Sequence, residues 1–149
     1  MRRTRTFILA GFAVFVFLGI SAMLARALSA TGTERSRVLQ IVRAEARGDS
    51  AAVISRTPAC AREPACAAAT RTFAARLRAP GDVKILQYRP SAQMPVTSGI
   101  GTGRVAWAAG AGDPVVQCVR VRREGPLSGA GVEILAISAP IGSEASCPE

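Results

Sequence analysis

From Phe7 to Ala25 the chain runs for nineteen residues, FILAGFAVFVFLGISAMLA, without a charged side chain. As an α-helix this stretch is about 28 Å long at 1.5 Å per residue, which matches the hydrocarbon thickness of a bilayer. Arg2, Arg3 and Arg5 precede it with no acid among them. The positive-inside rule then keeps the N-terminus in the cytoplasm and puts everything after Ala25 outside. A cleaved signal peptide is the competing reading, because Ala25-Arg26-Ala27 offers small residues at cleavage spacing. Nineteen residues nevertheless exceed the usual h-region of about 7–15. We therefore read 1–30 as cytoplasmic stub, transmembrane anchor (7–25) and junction, and 31–149 as an extracytoplasmic domain. Secretion after cleavage near Ala27 is the alternative. No cysteine lies near the end of the apolar run to take a lipid.

Once the anchor is set aside, the charge balance is less extreme. The whole chain carries a net +9, but Arg2, Arg3, Arg5 and Arg26 flank the apolar segment, leaving 15 basic against 10 acidic residues in the remainder. Lys84 is the only lysine among 19 cations, a usage that reflects codon bias before chemistry. Histidine is absent, which excludes Ser-His-Asp and Cys-His catalysis and His-ligated zinc or haem. All four cysteines, Cys60, Cys66, Cys118 and Cys147, fall beyond the anchor, and an even count in an exported chain reads as disulfides. Three connectivities are open. The local one, Cys60–Cys66 with Cys118–Cys147, joins neighbouring elements and is preferred. A metal site is not expected, since the spacings are irregular and no CxxC occurs, and no cofactor is expected either.

Beyond Ala25 helices come first and strands afterwards. Residues 29–33 form a small polar junction, after which Thr33 can cap a helix with Glu34 in its first turn. Val38, Ile41, Val42 and Glu45 or Ala46 recur at helical spacing, and Gly48 ends the helix. Asp49 or Ser50 caps a shorter helix through Ile54, which Thr57-Pro58 stops. A third helix is expected over 64–78, with Phe73 and Leu77 on its buried face. After the Pro80-Gly81 turn the period changes to two, giving strands over 83–89, 100–109, 115–123 and 132–138. Hairpin-length connections make neighbours antiparallel, and this order defines an α+β domain of about three helices on a curved four-stranded sheet.

A leading amphipathic helix, the Gly48-Asp49 break, more helix and then a long-stranded antiparallel sheet is similar to the nuclear-transport-factor-two-like family. The resemblance covers about 33–140 and rests on element order and one dipeptide. It implies a cystatin-like α+β roll whose sheet wraps a long helix, with a pocket in the cone. It fixes no reaction, because that fold hosts enzymes, binders and assembly modules.

Candidate site residues are few. Enzymes of that family use carboxylates inside the cone, and here Glu133, the one acid within a strand, is the candidate base, aided by Tyr88. Phe73, Tyr88, Trp107 and Glu133 together are the candidate pocket residues, with Trp107 read first as core. Alternation along the third strand puts Val115, Gln117, Val119 and Val121 on one face and Cys118, Arg120 and Arg122 on the other. With Arg104 from the next strand, Arg120 and Arg122 form a candidate basic face for anionic headgroups, wall polymers or an acidic partner, or a merely solvated one. Gly99, Gly101 and Gly103 strip one face of side chains, which suits a bulge, a bend or close approach of a helix. Arg47-Gly48-Asp49 sits at a helix break and is not read as a recognition loop. Three aromatics outside the anchor are too few for stacking on nucleic acid.

The expectation is a non-catalytic extracytoplasmic module tethered through 7–25. It would serve an envelope complex or bind a small apolar ligand. A structural subunit of a pilus-like or secretion assembly is the alternative, though no prepilin-type cleavage site precedes the apolar run. An isomerase- or dehydratase-like enzyme using Glu133 is a minor one.

Overall fold

One helix, α1, spans Arg2–Ala46, in a computed structural model that describes residues 2–91, 95, 97–125 and 131–148. At 1.5 Å per residue it is about 68 Å long, and its two halves live in different surroundings. Residues 10–25 are exposed on every side, with Phe12, Phe15 and Phe17 at 67%, 76% and 68%. From Glu34 onward one stripe is buried: Glu34, Val38, Ile41, Val42 and Glu45. The expected break at 29–33 is absent. Ser29 and Thr33 turn their hydroxyls back onto the carbonyls of Ala25 and Ser29, at 2.9 and 3.0 Å, the alternative that such residues have inside a helix. Thr33 is therefore no cap, and Glu34 belongs to the helix interior rather than to a first turn.

Gly48 closes α1. Its N–H reaches the Glu45 carbonyl at 2.8 Å and that of Asp49 reaches Ala44 at 2.9 Å, a pairing that needs the left-handed φ of +72° found at Gly48. Asp49 then caps α2 (Ser50–Ser55) by accepting from the Ala52 amide at 2.9 Å. Arg47-Gly48-Asp49 is thus a helix-to-helix link. A one-turn helix absent from the sequence reading, α3 (Pro58–Ala61), follows. Next comes α4 (Pro64–Arg76), ending two residues earlier than expected and burying Ala67, Thr70 and Ala74 rather than Phe73, which is half-buried. Pro at the first helical position starts both α3 and α4, and the Cys60–Cys66 disulfide staples them.

The strands are β1 (Val83–Arg89), β2 (Ser98–Ala109), β3 (Val115–Glu124) and β4 (Val132–Ile137), forming a four-stranded antiparallel sheet in the order β1-β2-β3-β4. Pairing slips by one residue at Leu86 on β1 and at Leu135 on β4. The core lies between α1 and one sheet face, where Val38, Ile41 and Val42 meet Val105, Trp107, Val119, Val121 and Ile134. Burial of each such side chain is worth roughly 1.5–3 kcal/mol.

The C-terminal tail covers part of the opposite face. Ile141 bridges to Val116, the Ile141 amide donating to the Val116 carbonyl at 2.8 Å, and Cys147 bonds Cys118 across 29 residues. Val116 and Cys118 consequently stay buried, at 6% exposure each, although they alternate with core positions. A loop of that length contributes about 3.6 kcal/mol through lost chain entropy in the unfolded state. The Cys118→Ala/Cys147→Ala double variant should lose about that much by chemical denaturation, and limited proteolysis should cut first within 138–148.

Candidate functional site

Two acids on the buried stripe of α1 stand eleven residues apart, three helical turns, and both point into the domain. Glu34 is 0% exposed. Its Oε2 accepts from Arg123 Nε at 2.6 Å and lies 2.6 Å from Nη2 of the same guanidinium, an ion-pair contact without hydrogen-bond geometry. Oε1 accepts from the Tyr88 hydroxyl and from the Ser91 amide at 3.4 Å. Arg123 is placed there by strand alternation, two residues beyond the core-facing Val121. Gly103 makes the room: a Cβ on it would lie 3.0 Å from the Arg89 carbonyl oxygen and 3.6 Å from Glu34 Oε1. Close approach of the backbone at the end of β1, the Arg89 carbonyl and the Ser91 amide, is thus the reason for glycine at this position, with Glu34 at ordinary contact distance beside it. Burial and the hydrogen bond to Glu34 raise the Tyr88 phenol well above its ordinary range, so it stays protonated. The cluster joins α1 to β1 and β3 through a saturated carboxylate.

Glu45, 1% exposed, has no such partner for Oε2. Burial pushes its carboxyl from 4.5 up to about 7, opposed weakly by the Gln117 amide. Gln117, itself fully buried, accepts from Trp107 Nε1 at 2.7 Å and donates to the Ser138 carbonyl at 3.0 Å. Trp107 is core, as first read, and its indole N–H explains why a glutamine sits beside it.

The residues singled out from the sequence are not gathered in one place. Glu133 is paired in register with Arg122, on the face away from Tyr88, and bonds the Arg122 guanidinium at 2.9 Å. Tyr88 pairs with Val105 on the core face and holds Glu34. The Glu133–Tyr88 acid–base pair is therefore not formed, because strand alternation separates the two. Phe73, on α4, and Trp107, in the core, do not converge with Glu133 either. Among the basic-face residues, Arg120 and Arg122 are exposed, whereas Arg104 lies under the tail and donates to Gln87 and to the Ser143 carbonyl.

Surface grooves lie outside the core. Gln87, Arg89, Thr102 and Arg104 line one of about 450 Å³ with the tail. Ile100, Thr102, Arg120, Ile137 and Pro148 line another of about 460 Å³. A third, of about 300 Å³, runs between Arg37, Gln40, Arg56 and Glu133. None of these grooves is lined by Glu34 or Glu45. Comparison with protein-family models, with curated proteins and with solved structures finds no match for the chain.

Glu34 and Arg123 were missed as partners, and the signal for them was phase: Glu34 lies four residues before Val38, and Arg123 two after Val121. Glu34→Gln leaves Arg123 buried without its counter-charge and should cost about 3–5 kcal/mol. The Glu34→Leu/Arg123→Met pair should recover most of that, as read by denaturation followed at the buried Trp107. At Glu45 the carboxyl is raised in the fold, so below pH 4.5 it is protonated in both states and costs nothing. Stability falls as pH rises from 4.5 to about 7, by about 3 kcal/mol at most, and is then level. Glu45→Gln should flatten that slope and leave the variant the more stable chain at pH 8.

Proposed function

We propose that this is a single-pass membrane protein with a cytoplasmic N-terminus, whose α+β domain acts outside the membrane as a non-catalytic binding or assembly module. The observation that carries this reading is the all-round apolar exposure of residues 10–25, in the same unbroken helix that enters the core at Glu34. A helix that is apolar on every side, with nothing packed on it, is at home in hydrocarbon and not in water. Arg2, Arg3 and Arg5 give the orientation, and the two disulfides suit an oxidising compartment. Cleavage near Ala27 would sever a helix whose next turns are already docked, which favours a retained anchor.

Element order supports a cystatin-like roll of the nuclear-transport-factor-two-like kind, with the sheet wrapped around α1. The sequestered acids support binding over catalysis: Glu34 is saturated, Glu45 is closed in, and Glu133 holds Arg122 at the surface. Partners on this reading are other envelope proteins, or a small apolar ligand, met at the grooves of the sheet and tail.

One observation favours the pilus-like reading as second choice. α1 is 45 residues long, bare in its first half and packed on a four-stranded antiparallel sheet in its second, with a disulfide-closed C-terminal segment. Carbonate extraction of native membranes separates these possibilities at the first step: the full-length chain should stay with the pellet, and recovery of a soluble species starting near Leu28 would refute the anchor. Mild cross-linking in detergent should then give discrete complexes, whereas ladders of homopolymer would support the pilus-like subunit.

A further inference from the structure

Glu34 lies nine positions after Ala25 along the unbroken helix, about 14 Å at 1.5 Å per residue. One leaflet's headgroup layer takes up about 5–7 Å of this. With residues 7–25 as the span, a reading this inference rests on, the domain begins one or two helical turns from the headgroups and no flexible linker holds it away. The contacts of α1 identify which end of the sheet faces the membrane. On its membrane side, Glu34 meets Tyr88, Ser91 and Arg123, at the C-terminal ends of β1 and β3. At its far end, the Ala46 carbonyl accepts from the Ala79 amide, ahead of β1. The membrane-side rim is therefore the start of β2 and the ends of β1 and β3.

That rim is basic and partly apolar. Arg35 on α1, Arg89 at the end of β1 and Arg122 near the end of β3 are exposed, and Ile100, in register with Arg122, is 44% exposed. Glu124 is an exposed acid here, and Glu133 meets Arg122 through Nη1 alone, so cations remain in excess. We infer that this rim rests on the outer leaflet, where Arg35, Arg89 and Arg122 bind the phosphates of anionic lipids and Ile100 lies against the interface. Guanidinium groups suit phosphate through charge-assisted, often bidentate hydrogen bonds. The anchor holds rim and leaflet together, so contacts too weak to recruit a soluble domain suffice to seat a tethered one.

The test uses the full chain in nanodiscs of phosphatidylcholine, or of an equal mixture of phosphatidylcholine and phosphatidylglycerol, with amide hydrogen exchange as the readout. Exchange at 98–101 and 122–124 should be slower in the mixed discs, roughly fivefold for each arginine contact that local opening breaks. High salt should remove the difference, as should Arg35→Gln/Arg89→Gln/Arg122→Gln, with exchange at 105–109 unchanged. Equal rim exchange in both lipids, with the chain incorporated, would overturn the inference and leave the anchor standing. So would protection indifferent to lipid charge and to the three arginines, which would point to a protein partner. Failure of the chain to enter nanodiscs at all would overturn the anchor, and the inference with it.

Discussion

A carboxylate without solvent exposure, Glu34, sits between the guanidinium of Arg123 and the phenol of Tyr88. The position of α1 against the sheet depends on this contact. Burying either charge alone costs several kcal/mol, so the two must be brought to hydrogen-bond distance. Apolar packing can tolerate a small slide or rotation of a helix, since Val38 and Ile41 have several neighbours to choose from. An ion pair with both oxygens engaged tolerates neither. The same residue that locks the helix also lies nine positions from the end of its apolar half, so the lock fixes the domain's height and rotation relative to the bare helix.

Glycine and disulfide placement follow from this geometry. Gly103 lacks a side chain because the backbone that leaves β1, with the Ser91 amide aimed at Glu34, passes too close for one. On the opposite face the tail covers part of the sheet, tied by Cys118–Cys147 and the Ile141 bridge. The tail turns Val116 and Cys118 into buried positions and ties down Arg104, which alternation alone would leave in solvent. Arg120 and Arg122 stay outside its path and remain exposed.

Most of the element order was legible from the sequence, because the strands alternate cleanly and the breaks carry their own chemistry, as at Gly48, Asp49 and Pro64. The continuity of α1 was not. Ser29, Gly32 and Thr33 are poor helix residues by propensity, and a cap at Thr33 followed by Glu34 is a plausible start. Propensity there amounts to about 1 kcal/mol at Gly32 and less at the others, which flanking helix on both sides readily outweighs. The candidate site was less legible for a related reason: charge marks which residues can do chemistry, but phase decides where they lie. Glu133 drew attention as an acid within a strand, yet its partner in register, Arg122, points outward. Glu34 and Arg123 have the phase of core residues, and their charges explain why they come as a pair. The tail's path over the outer face rests on one disulfide and one bridge, and neither has a periodic signature.

An unbroken helix shared by a bare apolar half and the domain has a mechanical meaning that a flexible linker would lack. Rotation or tilt of the bare half cannot be absorbed between Ala25 and Glu34, because the Ser29 and Thr33 hydroxyls are turned back onto the helix and no residue leaves it. Any force on the bare half reaches the Glu34–Arg123 pair, and through it the ends of β1 and β3. Conversely, a force on the tail or the sheet acts on a body rigidly joined to that bare half. The buried Glu45, three turns further along the same stripe, adds a second contact that is weak above neutral pH and stronger below it. The docked half of the helix is thus held firmly at the end next to the bare half and more loosely at its far end.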